Sequence, residues 1–207
     1  MSILRVGFGP EMAYALASGQ KTQFRVLAEP KHKGNYSSSL DVNEAYFKKC
    51  PYSIGDVLWV AESWALPPDY SAKKHGNLEK MPDISPLVYG ADYRMWDPWP
   101  RTNWRTWKTM PRWASRTTLE VTGVRLEKLN DITDVDAYHE GMSIAYIASR
   151  PVHVSQKVLD LIGIYRYRYL SFWDTTISKF NGKVRVVAAE NPVVWAVKFK
   201  AVNTGKE

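Results

Sequence analysis

Cysteine is nearly absent. Cys50 stands alone in 207 residues, which excludes an internal disulfide and any cysteine-built zinc site. The four histidines, His32, His75, His139 and His153, fall at no metal-ligand spacing. No metal is therefore expected, and nothing in the pattern calls for a cofactor. No apolar run approaches the roughly 20 residues of a membrane span, and the opening MSILRVGFGPEM lacks the basic-then-apolar order of a signal peptide. With the lone cysteine, these absences lead to the expectation of a soluble, cytoplasmic protein with no membrane partner. Also missing are a Walker-type glycine-rich loop, a Ser-His-Asp pattern, any internal repeat and any low-complexity tract. Nothing in the pattern fixes an oligomeric state.

The chain is rich instead in tryptophan and arginine placed close together. Residues 93–116, YRMWDPWPRTNWRTWKTMPRWASR, hold five of the nine tryptophans: Trp96, Trp99, Trp104, Trp107 and Trp113. Among them lie Arg94, Arg101, Arg105, Lys108, Arg112 and Arg116, against one acid, Asp97. Cations meet phosphate and flat rings stack on unpaired bases, so this interleaving suits a nucleic acid. It also suits a core of indoles beneath a solvated cationic face, because tryptophan is usually well buried. Pro98, Pro100 and Pro111 prevent a long helix, so 93–110 reads as an irregular excursion and Arg112 as the entry to a strand. A hydrophobic content of 45% with mixed charge indicates a folded chain, and its length indicates one domain over residues 1–207. The net charge of +7 leans toward polyanionic partners.

In chain order, Ile3 to Phe8 reads as a strand, and Gly9-Pro10-Glu11 as a helix start with proline at the first position. Gly19 stops that helix, and Gln20 to Leu27 reads as a strand. Residues 28–52 are polar and irregular. Val57-Leu58-Trp59-Val60-Ala61 is near-continuously apolar, which suits a strand buried on both sides. Residues 67–86 read as a surface loop and Leu87 to Ala91 as a short strand. In Thr117 to Lys128, Leu119 and Val121 share one phase while Val124 and Leu126 take the other. A slip at Thr122-Gly123 is what a β-bulge or sharp bend produces. Thr133 then caps a helix with Asp134 and Asp136 in its first turn, and Gly141 ends it, leaving Glu140 at the carboxyl end. Val158, Ile162, Tyr165, Tyr169 and Trp173 recur at helical steps, with Gly163 as a weak point and Arg166 and Arg168 facing water. Asn181-Gly182 is a turn. Val193 to Lys200 alternates as a half-buried closing strand.

Four pieces in order carry a resemblance. They are Gly19-Gln20-Lys21-Thr22-Gln23-Phe24-Arg25, the run from Gly55 to Trp64, the run from Met110 to Arg116, and Phe172-Trp173-Asp174 with Asn191-Pro192-Val193-Val194-Trp195. Together, over roughly residues 1 to 200, they resemble the ASCH-domain proteins of phages and prophages, which have the PUA-like fold. The resemblance implies an α+β fold: a small β-barrel flanked by helices, with a variable insertion at about 67–110 and a cleft beside Gly-x-Lys-Thr. For a phage-encoded chain the compartment is the host cytoplasm. RNA binding, ribonuclease activity and amide hydrolysis on acetylated cytidine are known in such proteins.

The members resembling acetylcytidine amidohydrolases use a lysine, a threonine and a glutamate. By that resemblance the lysine maps to Lys21 and the glutamate to Glu140. The nucleophilic threonine's position is Phe24, whose ring cannot form an acyl intermediate. Thr22, the nearest hydroxyl, lies roughly 6–7 Å along the strand from that position, beyond the 3–3.5 Å acyl transfer needs. A carboxylate at the negative end of a helix is better placed beside a cation, so Glu140 is expected beside Lys21; two unrelated surface charges is the other reading. Arg25, Arg112 and Arg116 become candidate phosphate contacts, Trp64 and Trp113 candidate stacking surfaces. Glu62 is placed to orient a base edge or pair with an arginine, and Ser115 to donate a hydrogen bond.

Three functions follow. The first is a binding module for RNA or a modified nucleoside. The second is an enzyme in the same cleft: Phe24 argues against an amidohydrolase, while a ribonuclease using the ribose 2′-hydroxyl as nucleophile needs only proton movers and a phosphorane-stabilising cation. The third is a phage accessory or host-interaction protein with a vestigial cleft.

Overall fold

Residue Thr118 begins the longest strand, and the sheet is assembled around it. The computed structural model describes residues 1–29, 47–66, 87–93, 102–142, 155, 157, 163–177 and 186–202. The elements are β1 (Ile3–Gly7), α1 (Pro10–Ala17), β2 (Gln23–Leu27), β3 (Val57–Ala61), β4 (Trp64–Ala65), β5 (Val88–Tyr89), β6 (Thr118–Lys128), α2 (Asp134–His139), α3 (Ile164–Phe172) and β7 (Val193–Val202). The expected loops at 30–46 and 67–86, the turn at Asn181-Gly182, residues Arg94 to Arg101, and Val158 and Ile162 lie outside the described residues.

Five strands form one mixed sheet in the order β1-β3-β6-β7-β2, and β4 and β5 form a separate pair. β1 runs parallel to β3; the other pairs are antiparallel. The fold is α+β as expected, but the sheet is not closed into a barrel. β1 and β2 are its outer strands, and each pairs on one side only, although Phe8, just after β1, reaches the Phe24 ring of β2 at 6.2 Å. The short α1, about 12 Å long, joins them instead of a hydrogen-bonded seam.

The slip in β6 is a bulge. Val121 pairs with Phe199 and Gly123 with Lys198, leaving Thr122 as the extra residue. Because side chains alternate, one inserted residue reverses every later assignment. Leu119 and Val121 before it, and Val124 after it, pack into one core with Leu4, Val6, Leu58, Val60, Phe24, Val197 and Phe199. Arg125 and Glu127 are thereby turned to the sheet's other face, in register with Ala196 and Val194 of β7 and, beyond them, Arg25 and Leu27 of β2.

Five strand and helix expectations need correction. β7 does not alternate through its length: Val193 to Val197 are all buried, because apolar groups cover both faces there, Val194 and Val197 packing in the main core and Val193 and Trp195 against Ala28 and Phe47, and exposure begins only at Lys198. In β3 Leu58, Val60 and Ala61 are buried, but Val57 and Trp59 are half-exposed, since nothing fully covers that face near the β1 edge. Gly163 does not weaken a helix interior; it precedes Ile164 and lies against Asp134, whose Oδ1 accepts the Arg166 amide at 2.9 Å. Arg168 is buried and Arg166 half-buried, so neither stands free in water; Tyr169 and Trp173 do pack inward. Arg112–Ala114 forms a short 3-10 turn before β6 begins. No helix among the described residues is long and apolar enough to cross a membrane.

The helix cap is as read: Thr133 Oγ1 accepts the Asp136 amide at 3.0 Å. Gly141 ends the turn with φ +102°, and a Cβ there would lie 3.0 Å from Met12 Sδ and 3.1 Å from Ala15 Cβ. Both backbone sign and space require glycine at this junction of α1 and α2. Gly141→Ala is expected to destabilise the protein by about 1–3 kcal/mol, read as a lowered midpoint in thermal or urea denaturation.

Candidate functional site

After α1 the chain reverses at Ser18-Gly19, and the Lys21 amide returns to the Ala15 carbonyl at 2.9 Å. The segment is then fastened to the carboxyl end of α2. Thr22 N–H donates to the His139 carbonyl at 3.0 Å and Gln20 Nε2 to the Tyr138 carbonyl at 2.9 Å. This directs the Lys21 side chain inward. Its Nζ donates to the Gln23 carbonyl at 2.9 Å and the Glu140 carbonyl at 2.6 Å, and lies 3.3 Å from Glu140 Oε2. An ammonium has three donors, and all three have acceptors. Phe8 presents its ring 5.1 Å from the same nitrogen.

Glu140 is shared. Its Oε1 accepts from Arg25 Nη1 at 2.7 Å. Arg25 Nε donates to Glu127 Oε1 at 2.6 Å, and Arg25 Nη2 lies 3.7 Å from Asp136 Oδ2. Arg125 Nε donates to the second Glu127 oxygen at 2.6 Å, and its Nη2 lies 3.6 Å from Asp136. Gln23 Nε2 donates to the Asp136 carbonyl at 2.9 Å and to Oδ1 at 3.1 Å. Three cations and three carboxylates thus interlock. The Lys21 and Glu140 side chains are 3% and 2% exposed and that of Arg25 is fully buried, so this end of the network is dry.

Burial lowers the Lys21 ammonium's pKa from its ordinary value, with Glu140 opposing and Arg25 adding to the fall. Burial also opposes the Arg25 charge, but Glu140, Tyr169 and Glu127 more than offset it and the guanidinium is held more firmly protonated. The Tyr169 phenol is pushed well up by burial and then by Glu140. Its hydroxyl is buried and has no hydrogen-bond partner among the described residues. Contact between the buried ammonium and the Glu140 carboxylate sets a proton donor beside a proton acceptor.

Lys21, Glu140 and Arg25 are therefore brought together. Thr22 is exposed and takes no part. Phe24 points to the opposite sheet face, against Tyr52 at 5.2 Å, Phe199 at 5.9 Å and Phe8 at 6.2 Å. His139 stays outside, its Nδ1 3.4 Å from the Gln20 carbonyl. The remaining expected site residues form a second group, after β3 and before β6. Buried Glu62 accepts from Arg116 Nε at 2.9 Å and Nη2 at 3.1 Å. Arg116 Nη1 also meets Asp92 at 2.7 Å, and the guanidinium lies 4.0 Å over Tyr89. Burial raises the Glu62 pKa against the pull of Arg116, and pushes Tyr89 up to about 12. Trp64 is 1% exposed and packs edge-on against half-buried Trp113 at 6.3 Å, so Trp64 offers no open stacking face. Ser115 Oγ donates to the Val60 carbonyl at 2.8 Å, and Arg112 is exposed.

Sequence reasoning did not single out Gln23, Arg125, Glu127, Asp136 and Tyr169. The phase reversal at Thr122 held the signal for two of them, since it sets Arg125 and Glu127 on the Arg25 face. No group of three or more histidine, cysteine, aspartate or glutamate side chains suited to a metal occurs among the described residues.

No protein family's sequence profile matches the chain, and no characterised protein matches it. Among solved structures it is similar to an ASCH domain from Lactobacillus crispatus JV V101, with TM-score 0.42 and 12% identity over 97% of this chain and 79% of that one. It is also similar to a DUF984 protein from Enterococcus faecalis V583, with TM-score 0.42 and 11% identity over 98% of this chain and 76% of that one.

Removing one member of the dry cluster strands its partners. Lys21→Met is expected to cost about 3 kcal/mol or more in urea denaturation, and Lys21→Met with Glu140→Leu less than the sum of the two single changes. Burial pushes the Asp136 carboxyl up, but Gln23, Arg25, Thr133 and Arg125 outweigh it, so its pKa lies below the ordinary 3.8. Its stabilising contribution is then complete above that value and lost as pH falls through the depressed one. Asp136→Asn is expected to flatten the dependence of stability on pH below about 4, followed by acid titration of the melting midpoint.

Proposed function

We propose that this chain is a nucleic-acid-associated protein of the ASCH kind, binding RNA or a modified nucleobase beside the Gly-x-Lys-Thr segment. On this reading residues 1–207 make one such unit, of phage or prophage type, working in the cytoplasm. The observation that supports it best is the meeting of Lys21 and Glu140, 119 positions apart, with Arg25 at a single carboxylate. A base edge is read by fixed donors and acceptors in a dry place, and a carboxylate accepts from the exocyclic amine of a cytosine. Lys21 and Arg25 supply donors, Glu140 the acceptor, and the Tyr169 hydroxyl a group with no partner among the described residues. Binding there requires a base to displace the Lys21 ammonium from part of the Glu140 carboxylate, which now accepts from it. The phosphates fall to cations outside this balanced cluster, such as exposed Arg112, because three charges of each sign attract no polyanion.

A second reading is an enzyme at the same place, favoured by the direct contact of the Lys21 ammonium with the Glu140 carboxylate at 3.3 Å. Glu140 would take the proton of a ribose 2′-hydroxyl as it attacks its own phosphate, and Lys21 would give one to the 5′-oxygen of the next nucleotide as that P–O bond breaks. Amide hydrolysis through an acyl-enzyme is disfavoured, because Phe24 lies in the core and Thr22 points to solvent.

Calorimetric titration with cytidine, acetylated cytidine and short RNAs tests the binding reading. Wild-type protein is expected to bind at least one of them, with affinity falling tenfold or more in Lys21→Gln and Glu140→Gln variants that remain folded. Turnover lost in both variants favours the enzyme. Indifference of wild-type protein to every nucleoside and RNA leaves an accessory protein with a vestigial cleft.

A further inference from the structure

At the opposite edge of the sheet, β1 and β3 build a second arrangement that the Lys21 cluster does not use. Arg5 and Trp59 are register partners and share a face, and the Arg5 guanidinium lies 5.2 Å over the Trp59 ring. The same guanidinium lies 5.6 Å from the Trp107 ring and donates to the Trp107 carbonyl. Lys108 Nζ stands 5.7 Å from the Trp107 ring. Ring, cation, ring, cation thus follow one another on the surface. Trp107 reaches its place because Gly7 ends β1: a Cβ on Gly7 would collide with the six-membered ring of Trp107. Trp59, Trp107 and Trp113 are half-buried, and all three lean on the second apolar cluster of Trp64, Tyr89, Met110 and Ala114. Arg105, exposed, lies 5.0 Å over the Trp64 ring of that cluster, and exposed Arg112 adjoins Trp113 in sequence.

Charge decides what such a surface can hold. Arg5, Arg105, Lys108 and Arg112 are exposed, and none is paired with a carboxylate among the described residues, whereas Lys21, Arg25, Arg116 and Arg125 all are. Cations set against indole rings are held at a definite height above the surface, where a chain of phosphates can meet several of them. The indoles are anchored on the second apolar cluster and only half-buried, which leaves part of each accessible to a stacked base. A duplex offers its phosphates but keeps its bases stacked on each other, so the rings would go unused.

We infer that the β1 edge, through Arg5, Trp59, Trp107 and Lys108, is a binding surface for single-stranded nucleic acid, distinct from the Lys21–Glu140 site. The cations follow the backbone and the two indoles receive unstacked bases without reading their sequence. The two sites lie toward the two outer strands of one sheet, which approach where Phe8, just after β1, meets the Phe24 ring at 6.2 Å and Lys21 Nζ at 5.1 Å, so one strand of several nucleotides could reach both.

The test uses the full chain and end-labelled fifteen-residue oligouridylate, oligothymidylate and an RNA duplex of equal length, followed by fluorescence anisotropy against salt. The expected result is binding of both single strands in preference to the duplex. Trp107→Ala and Arg5→Gln should each weaken it about tenfold, and Arg5→Gln should lower the salt slope by about 0.7 for its lost phosphate contact. Because Trp107 supports the second apolar cluster, the exposed Arg5→Gln and Lys108→Gln changes carry the test if Trp107→Ala unfolds. Arg5→Gln and Lys108→Gln should leave the binding of free cytidine and acetylated cytidine at wild-type strength, so loss of nucleoside binding at the Lys21 site and loss of this surface are separate outcomes. Unchanged affinity in folded Arg5→Gln and Lys108→Gln proteins overturns the inference. So does equal binding of duplex or inorganic polyphosphate, which would reduce the surface to bulk charge.

Discussion

One inserted residue in a long strand decides which side chains can meet. Up to Val121 the odd positions of β6 point into the core, and without Thr122 as a bulge Arg125 and Glu127 would follow them there. Two charges would then enter an apolar layer while Val124 and Leu126 faced outward, a loss on both counts. The shift instead returns the apolar residues to the core and sends Arg125 and Glu127 to the side where Arg25 lies. The charged cluster is thus a product of strand register before it is a product of attraction.

Once those groups share a face, attraction does the rest, within a narrow margin. The Arg25 side chain is fully buried, and a guanidinium without water is tolerable only when carboxylates occupy its donors. Glu127 and Glu140 do so from different elements, and Lys21 balances the second of them. The result is dry, neutral as a whole and rich in directional donors. A cluster balanced in charge exerts little pull on a phosphate chain. The cations left over for phosphate sit elsewhere, at the β1 edge, where rings and not carboxylates hold them.

Local signals in the sequence carried much of this. The proline at the start of α1, the Thr133 cap, the glycine after Glu140 and the phase slip at Thr122-Gly123 each express chemistry confined to a few neighbouring residues, and each appears where it was read. The pairing of Glu140 with a cation could be inferred from its place at a helix end. What escaped was decided by neighbours distant in sequence. Whether β7 alternates depends on what packs over its second face, and whether Trp64 is a platform or a core residue depends on Trp113 and Arg105 closing over it. The open sheet escaped for the same reason, since closure is a relation between β1 and β2 that neither segment encodes alone.

The six-residue α2 is too short to persist by its own backbone bonds. Yet its final turn is gripped by the Gly-x-Lys-Thr segment through the carbonyls of Tyr138, His139 and Glu140, and its first turn by Gln23. Lifting it away would bring Lys21 and Arg25 into water without their carboxylate. The smallest helix on the sheet is for that reason no independent unit: it opens together with the strand it clasps, and slow amide exchange there would report the cooperativity of the whole.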